Sequence, residues 1–447
     1  MSDSSNMLDQ LSDLLNKAQA RGADAADAVY IESQSLAVAE RLGQPEKLER
    51  SESADIGLRA LVGRRQAIVS SSDASPEALG ELVDRVVDMA KSVPEDPYCG
   101  LADPDQLATE IVDIDSYDPA EPTAETLVGW AKRAEETARA VDGVTNSEGA
   151  EAGWGRASVC VAATNGFAQT YASSHYSLSA SVLAGEGTGM ERDYDYTGAV
   201  YAADMMTPED VGRNAGEKAV KRLNPRKADT VQAPVIYDPR VSRGLLGHLS
   251  SAINGASVAR DTSFLKDKMG QQIFPAAINI IDDPHRARGL RSKPFDGEGV
   301  TNKRRLVIDD GVLTTWILDL RSSRQLGLET TGHASRGAGS PPSPSSTNLY
   351  MEAGNKTPAA LMADIKSGLY VTELIGFGIN GLTGDYSRGA AGFWIEDGKI
   401  AYPVSEVTVA GNLNDMFLNL TPANDLDFRY GVDAPTIRID GLTIAGK

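Results

Sequence analysis

Cysteine is nearly absent from this sequence, and long apolar runs are missing altogether. Cys99 and Cys160 are its only cysteines, too few for a disulfide framework or a thiolate metal site. No apolar run approaches the roughly 18 residues that a membrane-spanning helix requires. The N-terminal segment has acidic residues among its apolar ones and lacks the basic region of a signal peptide. These absences predict a cytoplasmic protein with no membrane segment.

Histidine is scarce as well, and its spacing matters. His175, His248, His285 and His333 are the only four. No two of them lie three to five residues apart, which excludes the local histidine pair that metalloproteases place on one helix. A metal site built from distant residues stays open, but hydrogen-bonded or surface histidines are the favoured interpretation.

Positive charge is in deficit. The chain has 43 Lys and Arg against 63 Asp and Glu, a formal net charge of −20. The densest basic groups are Lys218–Arg226 and Lys303–Arg305, and neither contains five consecutive basic residues. An acidic surface repels phosphate, so direct nucleic-acid binding is not expected.

The order of predicted elements divides the chain into two parts of different character. We predict an α+β fold. Residues 1–228 form an N-terminal α+β domain of two helix–strands–helix units, at about 1–92 and 123–228, with a Pro-rich connector at 93–122. Residues 229–447 form a β-rich domain with few helices, barrel-like or sandwich-like.

Local patterns place individual elements in both parts. In the first unit, apolar alternation predicts four strands: Ala28–Ser33, Leu36–Leu42, Ala54–Val62 and Arg65–Ser71. In the second part, β-forming residues flank Asp-Gly pairs, which predicts primed hairpin turns at three positions. These are Asp310-Gly311, Asp397-Gly398 and Asp440-Gly441.

Two glycine-rich segments resemble catalytic or cofactor motifs without completing them. Gly376–Gly381 has the spacing of a dinucleotide fingerprint, but more glycines follow where a helix should begin, so we reject it as a cofactor site. Ser335 lies beside His333 at a spacing one residue off that of a nucleophile elbow. Because Gly, Ser and Pro dominate His333–Ser346, a long surface loop is the favoured interpretation there.

The segment Thr383–Gly389 is dense in polar groups between two predicted strands. One interpretation is a tight loop in which Asp385 caps backbone amides. The other is a surface that contacts a substrate or partner, with Asp385, Tyr386 and Arg388 as the contact residues. Both stay open at this point.

This segment also begins the strongest resemblance to a known family. The run Thr383–Leu413 resembles the signature of the PmbA/TldE proteins, which belong to the TldD/PmbA group. Gly368–Leu374, Ile308–Gly327 and Glu49–Gly57 are similar to the same family, and the resemblance covers Met7 to about Leu442. Members of the group are associated with maturing peptide antibiotics and degrading an antitoxin. The older label "modulator of DNA gyrase" comes from those toxins.

The resemblance implies a division of labour between two chains. TldD members are zinc metallopeptidases with a His-Glu-x-x-x-His helix, whereas PmbA/TldE members lack that motif and pair with a TldD chain. Here the similar helix is Gly244–Ile253: His248 stands at the first histidine position, Leu249 at the glutamate and Ile253 at the second histidine. Leu249 cannot act as a base and Ile253 cannot bind zinc. We therefore expect no catalytic residue and no metal in this chain, and zinc in a TldD-like partner.

The expected function is that of a TldE-like subunit of a zinc metallopeptidase, which assists the processing or degradation of small or unfolded peptides. Its expected partners are a TldD-like subunit and a peptide substrate. Two alternatives stay open. The chain could be a homodimeric peptide-binding protein, or a self-sufficient hydrolase with an unrecognised site.

Overall fold

The first 228 residues build one antiparallel sheet with helices on one of its faces. The computed structural model describes residues 2–446, and side chains from residue 6 onward. The elements of this half are α1 (Ser2–Ala20), β1 (Ala25–Arg41), β2 (Gln44–Val62), β3 (Arg65–Ser71), α2 (Pro76–Ser92), α3 (Ala124–Arg139), β4 (Val144–Ala163), β5 (Ala168–Ala184), β6 (Glu191–Ala199) and α4 (Pro208–Lys221). The strand order is β3-β2-β1-β4-β5-β6, so strands of both predicted units share a single sheet.

The strands are longer than the apolar alternation predicted. The prediction of Ala28–Ser33 and Leu36–Leu42 as separate strands is wrong, because both segments belong to the 17-residue β1, apart from Leu42, which lies in the turn after it. The polar pair Gln34-Ser35 does not interrupt it, since β2 and β4 hydrogen-bond to this part of β1 on both sides. Ala54–Val62 is only the buried half of β2, whose first ten residues are exposed.

The two faces of this sheet have different partners. Ala26 and Ala28 of β1 pack beneath α1 and α2, and Leu36 and Val38 on the same face pack with α3 and α4. Val29 points to the opposite face, where its cluster includes Phe295 of the second half. The two halves of the molecule therefore meet across one face of the N-terminal sheet.

The second half contains a closed barrel and a smaller sheet. Its elements are β7 (Val231–Tyr237), α5 (Pro239–Ala252), α6 (Gly255–Ala259), β8 (Ile280–Asp282), β9 (Arg305–Asp309), β10 (Val312–Leu313), α7 (Leu320–Leu326), β11 (Ala334–Ser335), β12 (Ser343–Pro344), β13 (Leu349–Met351), α8 (Pro358–Met362), β14 (Ser367–Ile375), β15 (Asp385–Glu396), β16 (Lys399–Asn412), α9 (Leu413–Leu418), β17 (Leu420–Pro422), β18 (Val432–Asp433) and β19 (Ile437–Ala445). Strands β16, β15, β14, β7 and β19 pair in that order, and β19 also pairs with β16, which closes a five-stranded barrel. The second sheet has the order β10-β9-β8-β13-β18. This confirms the α+β class with a β-rich, barrel-containing C-terminal part.

Two of the three predicted hairpin turns are confirmed. Asp310-Gly311 joins β9 to β10 and Asp397-Gly398 joins β15 to β16, with positive φ at both residues of each pair, as type I′ turns require. The prediction for Asp440-Gly441 is wrong. This pair lies inside β19, where the register against β7 shifts between Ile439 and Leu442. The chain keeps pairing on both sides of the pair, so Gly441 serves a β-bulge instead of a turn.

The predicted surface loop His333–Ser346 is also wrong in part. His333 and Ala334 are buried, and a short pairing of β11 with β12 organises the segment. Its Arg336 side chain is only 2% exposed, because it reaches Asp27 on the N-terminal sheet. The segment fills the gap between the two halves, which sequence composition alone does not reveal.

No helix among residues 2–446 combines the length and the apolar character that crossing a membrane would need.

Candidate functional site

Helix α5 is the segment that resembles the metal helix, and its start is fixed by local chemistry. Asp238 precedes the helix and its carboxylate accepts a hydrogen bond from the amide of Arg240. Pro239 occupies the first helical position, where its missing N–H leaves no donor unsatisfied. The hydroxyl of Tyr370 on β14 donates to the same carboxylate at 2.9 Å. These contacts hold the beginning of α5 against the barrel.

The positions that differ from the metal motif lie in the main core. Leu249 and Ile253 are both 0% exposed and belong to the largest apolar cluster of the second half. Ile253 is the residue that follows the last turn of α5. Its side chain and that of Leu249 hold the helix in the core by apolar packing.

His248 is partly buried and lies at the edge of this core. Its ring centroid is 6.1 Å from that of Tyr386. Burial, and secondarily the positive charge of Arg388, lower the pKa of His248 to about 4. The imidazole is therefore neutral at neutral pH, the form that binds metals. However, no group of three or more His, Cys, Asp or Glu side chains within residues 2–446 could hold a metal ion. Among the residues that the structure describes, His248 therefore belongs to no such group.

We predict that His248 does not titrate in the physiological pH range. Its folded-state pKa of about 4 lies below the usual value of about 6.5, so the ring stays neutral down to roughly pH 5. Two-dimensional ¹H–¹⁵N spectra of the imidazole groups, recorded from pH 8 to pH 5, test this, with His248→Gln to assign the signal. A midpoint near the usual value would contradict the burial and charge environment described above.

Asp385, Tyr386 and Arg388, the predicted contact residues, have three different surroundings. Asp385 is exposed and accepts hydrogen bonds from the side chains of Thr383 (2.6 Å) and Asn412 (3.1 Å), which lower its pKa. Its partners are thus side chains instead of backbone amides. Tyr386 is 1% exposed, and its hydroxyl has no hydrogen-bond partner among the described residues. Arg388 lines a cavity.

That cavity lies between the two halves of the molecule and has a volume of about 490 Å³. Strand β6 and Arg222, the residue that follows α4, line it on the side of the first half, and α5, β14 and β15 of the second half line the other side. Its wall is rich in arginine, in contrast to the acidic chain as a whole. The arginines come from four segments, with two of them on α5: Arg192, Arg222, Arg240, Arg243 and Arg388.

A buried charge cluster joins the halves elsewhere. The carboxylate of Asp27 on β1 pairs with Arg59 of β2 and, at 2.6 Å, with Arg336 of the second half. Burial favours the neutral acid, but the charges of Arg336 and Arg59 outweigh this effect and lower the pKa of Asp27. Glu298 lies 3.5 Å from Arg59. Burial nevertheless raises the pKa of Glu298 well above its ordinary value, and neighbouring Asp296 adds to this. Asp27 is therefore the main counter-charge of both arginines.

His333 and Ser335 do not form a nucleophile pair. The Nε2 of His333 lies 3.1 Å from a carboxylate oxygen of Asp282, and its Nδ1 lies 2.9 Å from the hydroxyl of Thr331. Within the described part of the chain, no hydrogen bond joins His333 to Ser335. Both ring nitrogens are thus used within the core of the second half.

Comparison with known proteins covers nearly the whole chain. Models of the PmbA/TldA metallopeptidase family match residues 26–90 as domain 1, 117–223 as the central domain and 230–446 as the C-terminal domain. The metalloprotease PmbA of Escherichia coli O157:H7 is 39% identical over 95% of this chain and 93% of its own. This chain belongs to the PmbA/TldD family.

Solved structures of the family agree with this fold. A Bacteroides thetaiotaomicron protein bearing the name modulator of DNA gyrase has a TM-score of 0.90 and 27% identity, covering 98% of both chains. TldE from Thermococcus kodakarensis has a TM-score of 0.88 at 20% identity, covering 98% of this chain and 100% of its own, which supports the fold alone. A metalloprotease TldD homolog of Haemophilus influenzae is more distant, at 24% identity over 88% of this chain and 86% of its own.

The sequence contained a weak signal for one part of the cavity. Arg240 and Arg243 are three residues apart on α5, a spacing that places both on neighbouring positions of one helix face. The positions of Thr372 and Arg388 in the sequence do not indicate that they lie near α5. The pairing of β14 with β7 and β15 in the barrel places both residues next to this helix.

Proposed function

We propose that this chain is the metal-free, TldE-like subunit of a cytoplasmic TldD/TldE-type zinc peptidase that processes or degrades small or unfolded peptides. The observation that carries the proposal is α5, which keeps His248 but buries Leu249 and Ile253 where the motif has a base and a second ligand. A hydrolytic zinc site needs about three protein ligands and a carboxylate that takes the proton of the bound water. A TldD-like partner would supply both.

The test compares the chain alone with the chain plus a TldD-like protein from the same genome. Zinc is measured by atomic emission and hydrolysis by mass spectrometry of an unstructured peptide. We expect substoichiometric zinc and no cleavage for the chain alone, and bound zinc with cleavage for the pair. The matched control replaces the motif glutamate of the partner by glutamine, which should abolish cleavage without separating the two chains.

Two other outcomes would overturn the proposal. Stoichiometric zinc together with cleavage by the isolated chain would establish a self-sufficient hydrolase. Peptide binding that never leads to cleavage, and that the partner does not change, would establish a peptide-binding protein. Size-exclusion chromatography with light scattering separates a homodimer from the heteromeric assembly in both cases.

A further inference from the structure

The carboxylates in the wall of the cavity beside α5 are already neutralised. Asp193 is 2% exposed, and its carboxylate accepts hydrogen bonds from both terminal nitrogens of Arg240, at 2.6 and 3.0 Å. It also forms an ion pair with Arg222 at 3.5 Å. Glu373 pairs with Arg222 at 2.5 Å and with Arg192 at 3.4 Å. The two acidic residues that line the cavity therefore form ion pairs with three of its five arginines.

The other two arginines, Arg243 and Arg388, form no ion pair with a described residue. Among the described residues, no carboxylate oxygen lies within 4.0 Å of Arg243 or Arg388. Arg243 donates to the carbonyl of Arg240 at 3.3 Å, and its guanidinium lies 4.3 Å from the ring centroid of Tyr430. Arg388 donates to the carbonyl of Ile375 at 3.5 Å. Each guanidinium carries five N–H donors, so most donors of both remain available.

The neighbouring groups make this positive charge more costly for the protein. Both arginines are only partly exposed, so water solvates them incompletely. His248 lies beside Arg388, whose positive charge helps to lower the pKa of this imidazole, and the imidazole carries no negative charge in either of its protonation states. An anion bound in the cavity would relieve this imbalance.

A separate observation concerns the shape and polarity of the wall. Thr372 lines the cavity at a bulge of β14, is 7% exposed, and its hydroxyl has no hydrogen-bond partner among the described residues. Helix α5, which lines the cavity on the same side, presents Gly244 and Gly247, where an added Cβ would meet nothing within 4 Å. The helix therefore leaves space open in the cavity. The cavity volume of about 490 Å³ lies within the range of about 300–1,000 Å³ that is typical of small-ligand sites.

We infer that this cavity binds a carboxylate group of a peptide, held by the guanidinium groups of Arg243 and Arg388. Guanidinium matches a carboxylate in planar shape and in charge, and can form two parallel hydrogen bonds to it. The carboxylate can belong to an acidic side chain or to the C-terminus of the peptide. The inference rests on the proposed function, because it names the peptide group that this subunit would recognise.

Calorimetric titration of the isolated full chain tests the inference without any catalytic step. Three short acetylated peptides share one neutral sequence: one is amidated, one is amidated with a single internal glutamate, and one has a free C-terminus. We expect a peptide with a carboxylate to bind about tenfold or more tightly than the neutral one. Tight binding of the glutamate peptide would indicate that the cavity recognises an acidic side chain, and tight binding of the peptide with a free C-terminus would indicate the C-terminal carboxylate.

Variants of the chain locate the binding. Arg243→Gln and Arg388→Gln should each weaken carboxylate binding by about tenfold or more. Gly247→Leu should abolish binding by filling the cavity, and leucine favours the helix, so folding should persist. Arg85→Gln is the matched control: it removes one positive charge from an exposed site on α2, which packs at the opposite edge of the N-terminal sheet from β6. Circular dichroism verifies that each variant is folded.

Equal binding of neutral and carboxylate peptides would overturn the inference, as would unchanged affinity in folded Arg243→Gln and Arg388→Gln variants. Binding of inorganic phosphate but of neither carboxylate peptide would overturn it too. The two proposals can fail independently. If the two-chain assembly cleaves acidic and neutral peptides equally well, the proposed function is supported and the carboxylate site is contradicted. If the assembly cleaves no peptide while the isolated chain binds carboxylate peptides selectively, the carboxylate site is supported and the proposed function is contradicted.

Discussion

The double variant Leu249→Glu, Ile253→His, which restores the metal motif by sequence, is expected to destabilise the second half instead of creating a zinc site. Both positions are 0% exposed in the main core. A buried carboxyl without a partner and an imidazole in place of Ile253 would lower the free energy of unfolding by at least about 3 kcal/mol. Urea denaturation followed by circular dichroism measures this loss, and atomic emission measures zinc.

A control on the same helix separates burial from helix chemistry. Ser251→Glu adds the same carboxylate to α5 at an exposed position, so it should change the free energy of unfolding by no more than about 0.5 kcal/mol. Stoichiometric zinc in a double variant of unchanged stability would show that the core around α5 can rearrange into a metal site. That result would contradict the structural role assigned here to Leu249 and Ile253.

Asp27→Ala is expected to produce the second large effect, at the junction of the two halves. The substitution leaves Arg59 and Arg336 without their shared carboxylate, although their side chains are only 4% and 2% exposed. Uncompensated buried charge of this kind costs about 3–5 kcal/mol. Urea denaturation at pH 7 should show this loss, and limited proteolysis should cut the segment around Arg336 sooner.

The acid dependence of this effect has a definite sign. The folded-state pKa of Asp27 is lowered, so its contribution to stability is present above the unfolded-state value of about 3.9 and is lost as pH falls through the folded-state pKa. The difference between wild type and Asp27→Ala should therefore shrink in acid. Asp13→Ala is the control, since Asp13 also has an ion pair, with Lys17, but is 63% exposed, and it should cost no more than about 1 kcal/mol. A similarly small loss for Asp27→Ala would argue against the buried cluster.

Local sequence patterns correctly predicted those elements that depend only on residues close together in the sequence. The cap of α5 depends on Asp238 and Pro239, and the turn at Asp397-Gly398 depends on two residues that tolerate positive φ. The same reasoning failed at Asp440-Gly441, because pairing with β7 continues on both sides of it. A turn motif sets a conformational preference, but neighbouring strands decide whether the chain reverses there.

The sequence by itself determined what α5 lacks. Leucine and isoleucine cannot bind zinc or take a proton wherever they are placed, so the motif is incomplete in any fold. Only the tertiary structure decided what lies beside that helix. Arg388 reaches α5 through β15, and Asp193 and Arg222 reach it from the other half of the molecule. Whether an arginine in the cavity pairs with a carboxylate depends on distances of a few ångströms between segments that are far apart in the chain. These distances cannot be inferred from sequence spacing.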